Sequence, residues 1–166
     1  MGYTHCVEVL VEVAQLMKED EDVLFLIIGH GKKKAVIEQM VSNFALGNVM
    51  ILNYQPVEIF PFSLSSADLG VVTLDEMVGD VSVPSKTFNL FAVGAPVLAI
   101  ANEKTEMYRL LTKYENGRCI PKHEVEEIAD FIRELKNNPD LRHRYSENSL
   151  RAAKDFTYHN AKLYFE

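Results

Sequence analysis

The sequence lacks tryptophan, has only two cysteines, and contains no apolar run of the roughly 18–20 residues that a membrane-spanning helix needs. Cys6 and Cys119 each stand alone, which argues against a disulfide framework and favours reduced thiols in a cytoplasmic protein. The first residues have neither the basic nor the apolar segment of a secretory signal. These absences predict a protein that folds around an ordinary hydrophobic core.

Positive charge is also scarce, because 17 Lys and Arg residues stand against 24 Asp and Glu residues, a formal net charge of −7. This balance argues against nonspecific binding to nucleic acid or to an anionic membrane surface. The five histidines are scattered, with no pair at the spacing of metal ligands, so no metal site is expected. No phosphate-binding Walker loop and no Gly-x-Ser-x-Gly motif is present.

The length of 166 residues predicts a single domain over residues 1–166. Amphipathic helical segments alternate with short apolar runs, which predicts an α/β fold with a doubly wound parallel sheet of Rossmann-like topology. Helices are expected near residues 6–19, 33–44, 63–67, 86–93, 104–113, 124–137 and 140–155. Strands are expected at residues 23–28, 49–52, 69–74, 97–100 and 118–120.

The chain begins on a helix, whereas a Rossmann-like half usually begins with a strand at the centre of its sheet. We therefore predict that this first central strand is missing from the N-terminus. Its loss would expose two strand edges, which invites self-association, pairing with another chain, or direct closure of the gap.

Residues 81–100 combine a loop, a short helix, a turn and a buried strand. Pro84 suits a helix start because its φ is fixed near the helical value and it has no N–H to satisfy. Ser85 beside it is expected to cap the helix. The free N–H groups of such a helix start, with the ammonium of Lys86 and the hydroxyl of Thr87, predict an anion site. A solvated helix cap without a ligand is the alternative.

Two further segments are expected at the carboxyl edge of the sheet, where open α/β folds bind ligands. Gly29, His30 and Gly31 join a strand to a helix, and glycines there let a backbone approach a phosphate or sugar closely. A tight turn without a ligand is the alternative. Tyr54 and Gln55 follow the next strand at the same edge.

The sequence Pro-Ser-Lys at 84–86, a short helix, and Ala-x-Gly-x-Pro-Val at 92–97 together resemble a known donor site. This is the donor-site segment in the C-terminal domain of GT-B retaining glycosyltransferases (glycosyl transferases group 1). The resemblance is closest to the bacterial enzymes of surface-polysaccharide assembly. The order of elements is similar over nearly the whole chain.

The resemblance implies the positions of the donor contacts. Gly2 matches the end of a glycine-rich loop, Lys33 and Lys86 match residues near the diphosphate, and Tyr54 lies near the base. Asn89 stands where the family usually has a glutamate that contacts the ribose, so either the ribose contact is weaker or the donor differs. The implied donor site comprises Gly2, Gly29, His30, Gly31, Lys33, Tyr54, Gln55, Pro84, Ser85, Lys86, Thr87 and Asn89.

The resemblance implies transfer of a sugar from a nucleoside diphosphate sugar to a glycan or lipid-linked acceptor, with no cofactor and no metal. The acceptor site would lie on an N-terminal domain that this chain lacks, so the fragment alone is expected to be inactive. The whole enzyme would be cytoplasmic, with peripheral association with the inner face of the membrane left open. In many relatives a second glutamate stands eight residues earlier than the one at the position of Asn89, and this chain has Val81 there. Two alternatives remain: a non-catalytic GT-B-like partner, which fits the absence of both glutamates at Val81 and Asn89, and a UDP-sugar epimerase of the same architecture.

Overall fold

The computed structural model describes residues 6–74 and 83–157. Its helices are α1 (Glu8–Leu16), α2 (Lys34–Asn43), α3 (Phe60–Ser65), α4 (Lys86–Ala92), α5 (Glu106–Tyr114), α6 (Val125–Asn137) and α7 (Pro139–Ala153), followed by a 3₁₀ turn (Lys154–Phe156). Its strands are β1 (Phe25–Ile28), β2 (Val49–Leu52), β3 (Gly70–Thr73), β4 (Val97–Ile100) and β5 (Gly117–Ile120).

Helices and strands alternate as the sequence predicts, and the α/β fold is confirmed. The short helix α3 differs from its expected position, because it begins at Phe60 rather than at Ser63. Pro61 lies in its first turn, where a fixed φ and a missing N–H are tolerated. Among the helices of residues 6–74 and 83–157, none is long and apolar enough to cross a membrane.

The strands are parallel and form two separate sheets, β1-β2 and β3-β4-β5. Phe25 lies opposite Val49 in the first sheet, and Gly70, Val97 and Gly117 lie side by side in the second. No pairing between described strands joins β1 to β3. Each of these two strands therefore has one edge that no described strand covers.

One apolar cluster lies under both sheets, and we call it the shared core. Phe25 and Ile27 of β1 enter it from the first sheet, and Leu98 and Ile100 of β4 enter it from the second. Helices α1, α2 and α6 supply its other side. Since both sheets pack on the same helical layer, the shared core holds them next to each other, although no ladder between described strands joins them.

A second cluster covers the opposite face of the three-stranded sheet. Val97 and Ala99 of β4 pack there against α4 and α5, for example against Phe91 and Met107. Alternate residues of β4 thus point into different cores, and all four are fully buried. Helices on both faces of this sheet make it doubly wound.

The contact between β4 and β5 requires a glycine at position 117. A Cβ atom built on Gly117 would lie 1.8 Å from the carbonyl oxygen of Val97. That oxygen belongs to the backbone of the fully buried β4, which cannot move without disturbing both cores.

The substitution Gly117→Ala is therefore expected to lower the free energy of unfolding by roughly 3 kcal/mol or more, as overpacking against backbone does. Urea denaturation followed by circular dichroism measures this loss. Gly47→Ala is the matched control, because a Cβ at Gly47 meets nothing within 4 Å and its φ is not positive. Equal midpoints for the two variants would contradict this account of the β4–β5 contact.

Candidate functional site

The predicted site residues follow the carboxyl ends of three strands. Residues 29–31 come directly after β1, residues 53–55 come after β2, and Lys86 begins the helix that follows β3 along the chain. Carboxyl ends of parallel strands share one edge of a sheet, and ligands of open α/β folds bind outside that edge. We call this edge, with the loops and helix starts that line it, the rim.

The turn after β1 depends on its glycines. Gly29 has φ +144° and Gly31 has φ +154°, values that side chains other than glycine rarely adopt. A Cβ on Gly29 would meet nothing within 4 Å, so the glycine there serves the backbone conformation and not a crowded contact. His30 between them is exposed. Gly29 itself is buried, so the exposed His30 and the half-buried Gly31 are the residues of this turn that a ligand can reach.

An ion pair joins the first turns of α1 and α2. Lys33 Nζ lies 3.0 Å from Glu8 Oε1 and donates a hydrogen bond of 3.1 Å to Glu8 Oε2. Both helices therefore begin at the rim beside residues 29–31. The neighbouring Lys34 donates to the side chain of Asn53, which links the start of α2 to the end of β2. The carboxylate of Glu8 thus already balances the charge of Lys33, and the sequence gave no indication of this pairing.

Lys86 lies half-buried at the start of α4. Burial lowers the pKa of its ammonium below the ordinary value of 10.5. A poorly hydrated ammonium has much to gain from an anionic partner, because such a partner replaces the water that burial removed. Lys86 is thus the cation of the rim whose environment most favours a bound anion.

The hydroxyl of Thr87 does not face the rim. Thr87 is fully buried, and its Oγ1 lies 3.5 Å from the sulfur of Met107. Each helical residue turns by about 100°, so Thr87 shares the inward side of α4 with Leu90 and Phe91. The expectation that its hydroxyl joins an anion site was wrong for that reason.

Ser85 precedes α4 but does not cap it with its side chain. Its backbone is already helical, and its carbonyl accepts a hydrogen bond of 3.1 Å from the N–H of Phe88. The carbonyl of Pro84 accepts in the same way from Thr87, at 2.9 Å. The predicted side-chain cap was wrong because Ser85, although it stands at the N-cap position, has a helical backbone, whereas a capping side chain needs an extended one. The N–H groups that can reach a ligand at this helix start are those before Thr87.

Three other predicted contacts are accessible. Asn89 is exposed one turn beyond Ser85 and Lys86, and its amide can both donate and accept hydrogen bonds. Tyr54 is 74% exposed, and the side chain of Gln55 donates to the carbonyl of Asn53. Gly2, predicted at the donor site, and Val81, noted for its missing glutamate, lie outside the described residues.

An aromatic cluster fixes the position of α4. The rings of Phe88 and Phe156 lie 4.7 Å apart, and both Phe91 and Tyr114 contact Phe156 edge-on or tilted. The hydroxyl of Tyr114 also donates a hydrogen bond of 2.7 Å to Asp155. The helix that carries Lys86 is therefore held by the 3₁₀ turn at residues 154–156.

A cavity of about 340 Å³ lies at the other edge of the three-stranded sheet. Asp68 and Pro96, which precede β3 and β4, line it together with Arg142 and Ser146. It contains none of the predicted donor contacts. Within residues 6–74 and 83–157, no group of three His, Cys, Asp or Glu side chains is placed to hold a metal ion.

Comparison with known proteins gives a family. The family described as "Glycosyl transferases group 1" matches residues 2–152. The colanic acid biosynthesis glycosyl transferase named WcaI in Escherichia coli K12 is 27% identical over 154 residues, which cover 90% of this chain. The alpha-D-kanosaminyltransferase of Streptomyces kanamyceticus is 28% identical over 153 residues, or 89% of this chain. The chain spans 38% of the length of each of these relatives.

A solved structure agrees with this result. S. aureus TarM, crystallised with UDP among other ligands, superimposes with a TM-score of 0.82 at 25% identity. The match covers 99% of this chain and 32% of that protein. The sequence match over residues 2–152 and the shared fold lead to one conclusion: the chain belongs to the glycosyl transferases group 1 family and is a domain of the GT-B type.

Proposed function

We propose that this chain is the domain that binds the nucleoside diphosphate sugar in a glycosyltransferase of surface-polysaccharide assembly. Its family membership supports sugar transfer, and the name of WcaI supports polysaccharide as the product. TarM, part of which resembles almost the full length of this chain, was crystallised with UDP. The observation that carries the proposal is the half-buried ammonium of Lys86 at the rim.

Different residues of the rim would bind the diphosphate, the ribose, the base and the sugar of the donor. Lys86 and the N–H groups before Thr87 would hold the diphosphate and stabilise the negative charge that grows on it as the sugar departs. The exposed amide of Asn89 lies one helical turn from Lys86 and would bind the ribose hydroxyls. The exposed ring of Tyr54 would stack on the base. The turn at residues 29–31, in which His30 is exposed, would contact the sugar or a phosphate oxygen.

The rest of the reaction lies outside this chain. The acceptor, a glycan or a lipid-linked sugar, would bind to an N-terminal domain in a longer protein, in line with the 38% of its relatives that this chain spans. The donor needs no cofactor and no metal in this proposal, since the cations at the rim are lysines. The cytoplasm is the proposed location, with the complete enzyme at the inner face of the membrane.

Removal of the Lys86 ammonium is the direct test. Isothermal titration of the chain with UDP, GDP, ADP and UMP is expected to show binding of one nucleoside diphosphate. Lys86→Ala should weaken that binding by about 10- to 100-fold, the usual worth of a hydrogen bond to a charged group. Lys18→Ala removes the same charge at the far end of α1, where Lys18 is exposed and donates to the carbonyl of Phe44, and should leave binding unchanged.

Two results would refute the donor site. One is the absence of any heat of binding for all four nucleotides at millimolar concentration. The other is equal affinity for the Lys86→Ala and Lys18→Ala variants.

The ion pair of Lys33 with Glu8 leads to a second prediction. If Lys33 contributes to diphosphate binding, Glu8→Gln should tighten binding about 3- to 10-fold, because the neutral amide no longer competes for the ammonium. Glu12→Gln, on an exposed position of the same helix, makes the same change in net charge and is the control. Equal affinities would remove Lys33 from the site and leave Lys86 in place.

The burial of Lys86 also predicts a pH dependence of stability. Its pKa is lower in the folded chain than in the unfolded chain, so the unfolded chain binds more protons just below pH 10.5. This group therefore makes stability rise with pH in that interval, and its charge disfavours folding at pH 7. Lys86→Met should raise the melting temperature by a few degrees at pH 7, and the gain should shrink toward pH 10.5.

Melting curves of both proteins between pH 7 and pH 10.5 measure this difference. The comparison with the wild type is needed because burial also raises the pKa of Cys119, to about 11, and of Tyr114. Cys119 and Tyr114 make stability fall as the pH rises, and they do so equally in the wild type and in the Lys86→Met variant. A gain that does not change with pH would contradict the assignment to the Lys86 ammonium.

A further inference from the structure

The first turn of α3 and the residues before it carry a run of exposed apolar side chains. Val57 is 76% exposed and Phe62 is 71% exposed, while Ile59 and Phe60 are each 44% exposed. Helix α3 has no buried residue, whereas every other α-helix within residues 6–74 and 83–157 has at least one. We call residues 57–62 the α3 segment. Its apolar side chains lie on the surface instead of in either core.

Charge is almost absent from this part of the sequence. Glu58 is the one charged residue among residues 53–67, whereas 25% of the whole chain is charged. Pro56 and Pro61 also lack a backbone N–H. A surface with so few polar groups loses little free energy when it leaves water.

The helical phase of α3 turns the large side chains of the segment away from the domain. Leu64 packs against the second cluster, and α3 contacts α4. Phe62 precedes Leu64 by two positions, or about 200° of helical rotation, so it lies on the opposite side of the helix. Ile59 stands three residues before Phe62 and shares its face. These two side chains therefore point into solvent together.

The serine hydroxyls of α3 are all bonded within the helix itself. Ser63 donates to the carbonyl of Ile59 at 3.2 Å, Ser65 donates to that of Phe62 at 3.1 Å, and Ser66 donates to that of Ser63 at 2.9 Å. Such back-bonding supplies a partner to each hydroxyl without help from outside. In contact with hydrocarbon, polar groups must find their partners within their own segment. The helix thus meets a requirement of lipid that a polar protein surface would not impose.

The exposed area is too small for a stable contact between two proteins. The four apolar side chains of the segment together expose on the order of 400 Å². A stable protein interface buries roughly 800 Å² on each partner. Binding of apolar side chains at a lipid surface needs no such minimum, since its strength scales with the apolar area that is inserted.

The charge of the chain indicates which lipid surface fits. A chain with a formal net charge of −7 is repelled by an anionic surface. Attraction to a bilayer must therefore come from apolar insertion, and lipids with no net charge suit it better than anionic ones.

The α3 segment follows the rim closely along the chain. Strand β2 ends at Leu52, Tyr54 belongs to the rim, and the segment begins at Val57. Lys34 at the start of α2 donates to the side chain of Asn53, which fixes this part of the chain beside the rim. A membrane that held the α3 segment would thus lie near the rim as well.

We propose that the α3 segment docks this domain on a lipid bilayer by inserting Phe62 and Ile59 at the boundary between headgroups and acyl chains. Val57 and Phe60 would lie at the same depth or just above it. The inference builds on the proposed function, because it names the surface by which the enzyme would reach a lipid-linked acceptor. Docking itself requires no bound donor.

Co-sedimentation with phosphatidylcholine vesicles measures this docking in the absence of nucleotide. The wild-type chain should bind these vesicles, and Phe62→Ser should weaken binding about tenfold or more, as loss of one inserted aromatic side chain does. Leu24→Ser is the matched control, because Leu24 is an apolar residue that is 57% exposed and lies outside the segment. Phe62→Ser should leave the melting temperature and the titration with nucleotides unchanged.

The absence of tryptophan from the sequence allows a direct measurement of insertion. In Phe62→Trp the single indole should emit at shorter wavelength when vesicles are added, and lipids brominated on the acyl chain should quench it. In Leu24→Trp the emission should not change. An indole at position 62 that responds no more than the one at position 24 would contradict insertion.

Three further results would overturn the proposal. One is equal vesicle binding by the wild type, Phe62→Ser and Leu24→Ser, or no binding by any of them. Another is binding that requires phosphatidylglycerol and disappears at high salt, which would show attraction by charge. The third is a dimer in light scattering that Phe62→Ser dissociates, which would make a second copy the occupant. Vesicle binding without any nucleotide binding would refute the donor site and leave this inference in place.

Discussion

The arrangement of the rim depends on apolar contact between one layer of helices and the strands of two sheets. Phe25 and Ile27 reach this shared core from β1, and Leu98 and Ile100 reach it from β4. No ladder of hydrogen bonds between described strands connects the two sheets. Burial of apolar area therefore fixes the position of residues 29–31, which follow the first sheet, relative to Lys86, which follows a strand of the second. The polar rim is thus positioned by contacts that lie entirely beneath it.

The elements that the sequence predicted well are those with a strong local signal. The run Val-Leu-Ala-Ile is bounded by Pro96 and by the polar loop after Ala101, and β4 has the predicted bounds. The long helix α6 was also expected, because its apolar positions recur every three or four residues, and α7 was expected because Pro139 suits a helix start.

The details of the site were harder to predict because they depend on rotation and on distant partners. Ser85 and Thr87 were both expected to present hydroxyls to a ligand, but the helical backbone of Ser85 removed the side-chain cap, and the helical phase buried Thr87. The pairing of Lys33 with Glu8 joins residues 25 apart, and no spacing rule connects them. The burial of Lys86 likewise results from packing that only the fold reveals.

The aromatic cluster around Phe156 has a consequence for the biosynthesis of the protein. The helix that carries Lys86 is formed from residues 86–92, but Phe156, which packs on Phe88 and Phe91, is translated more than sixty residues later. A growing chain can therefore complete both sheets while α4 still lacks this contact. The rim acquires its final geometry only after residues 154–156 have emerged from the ribosome, so the domain becomes competent later than its sheets form.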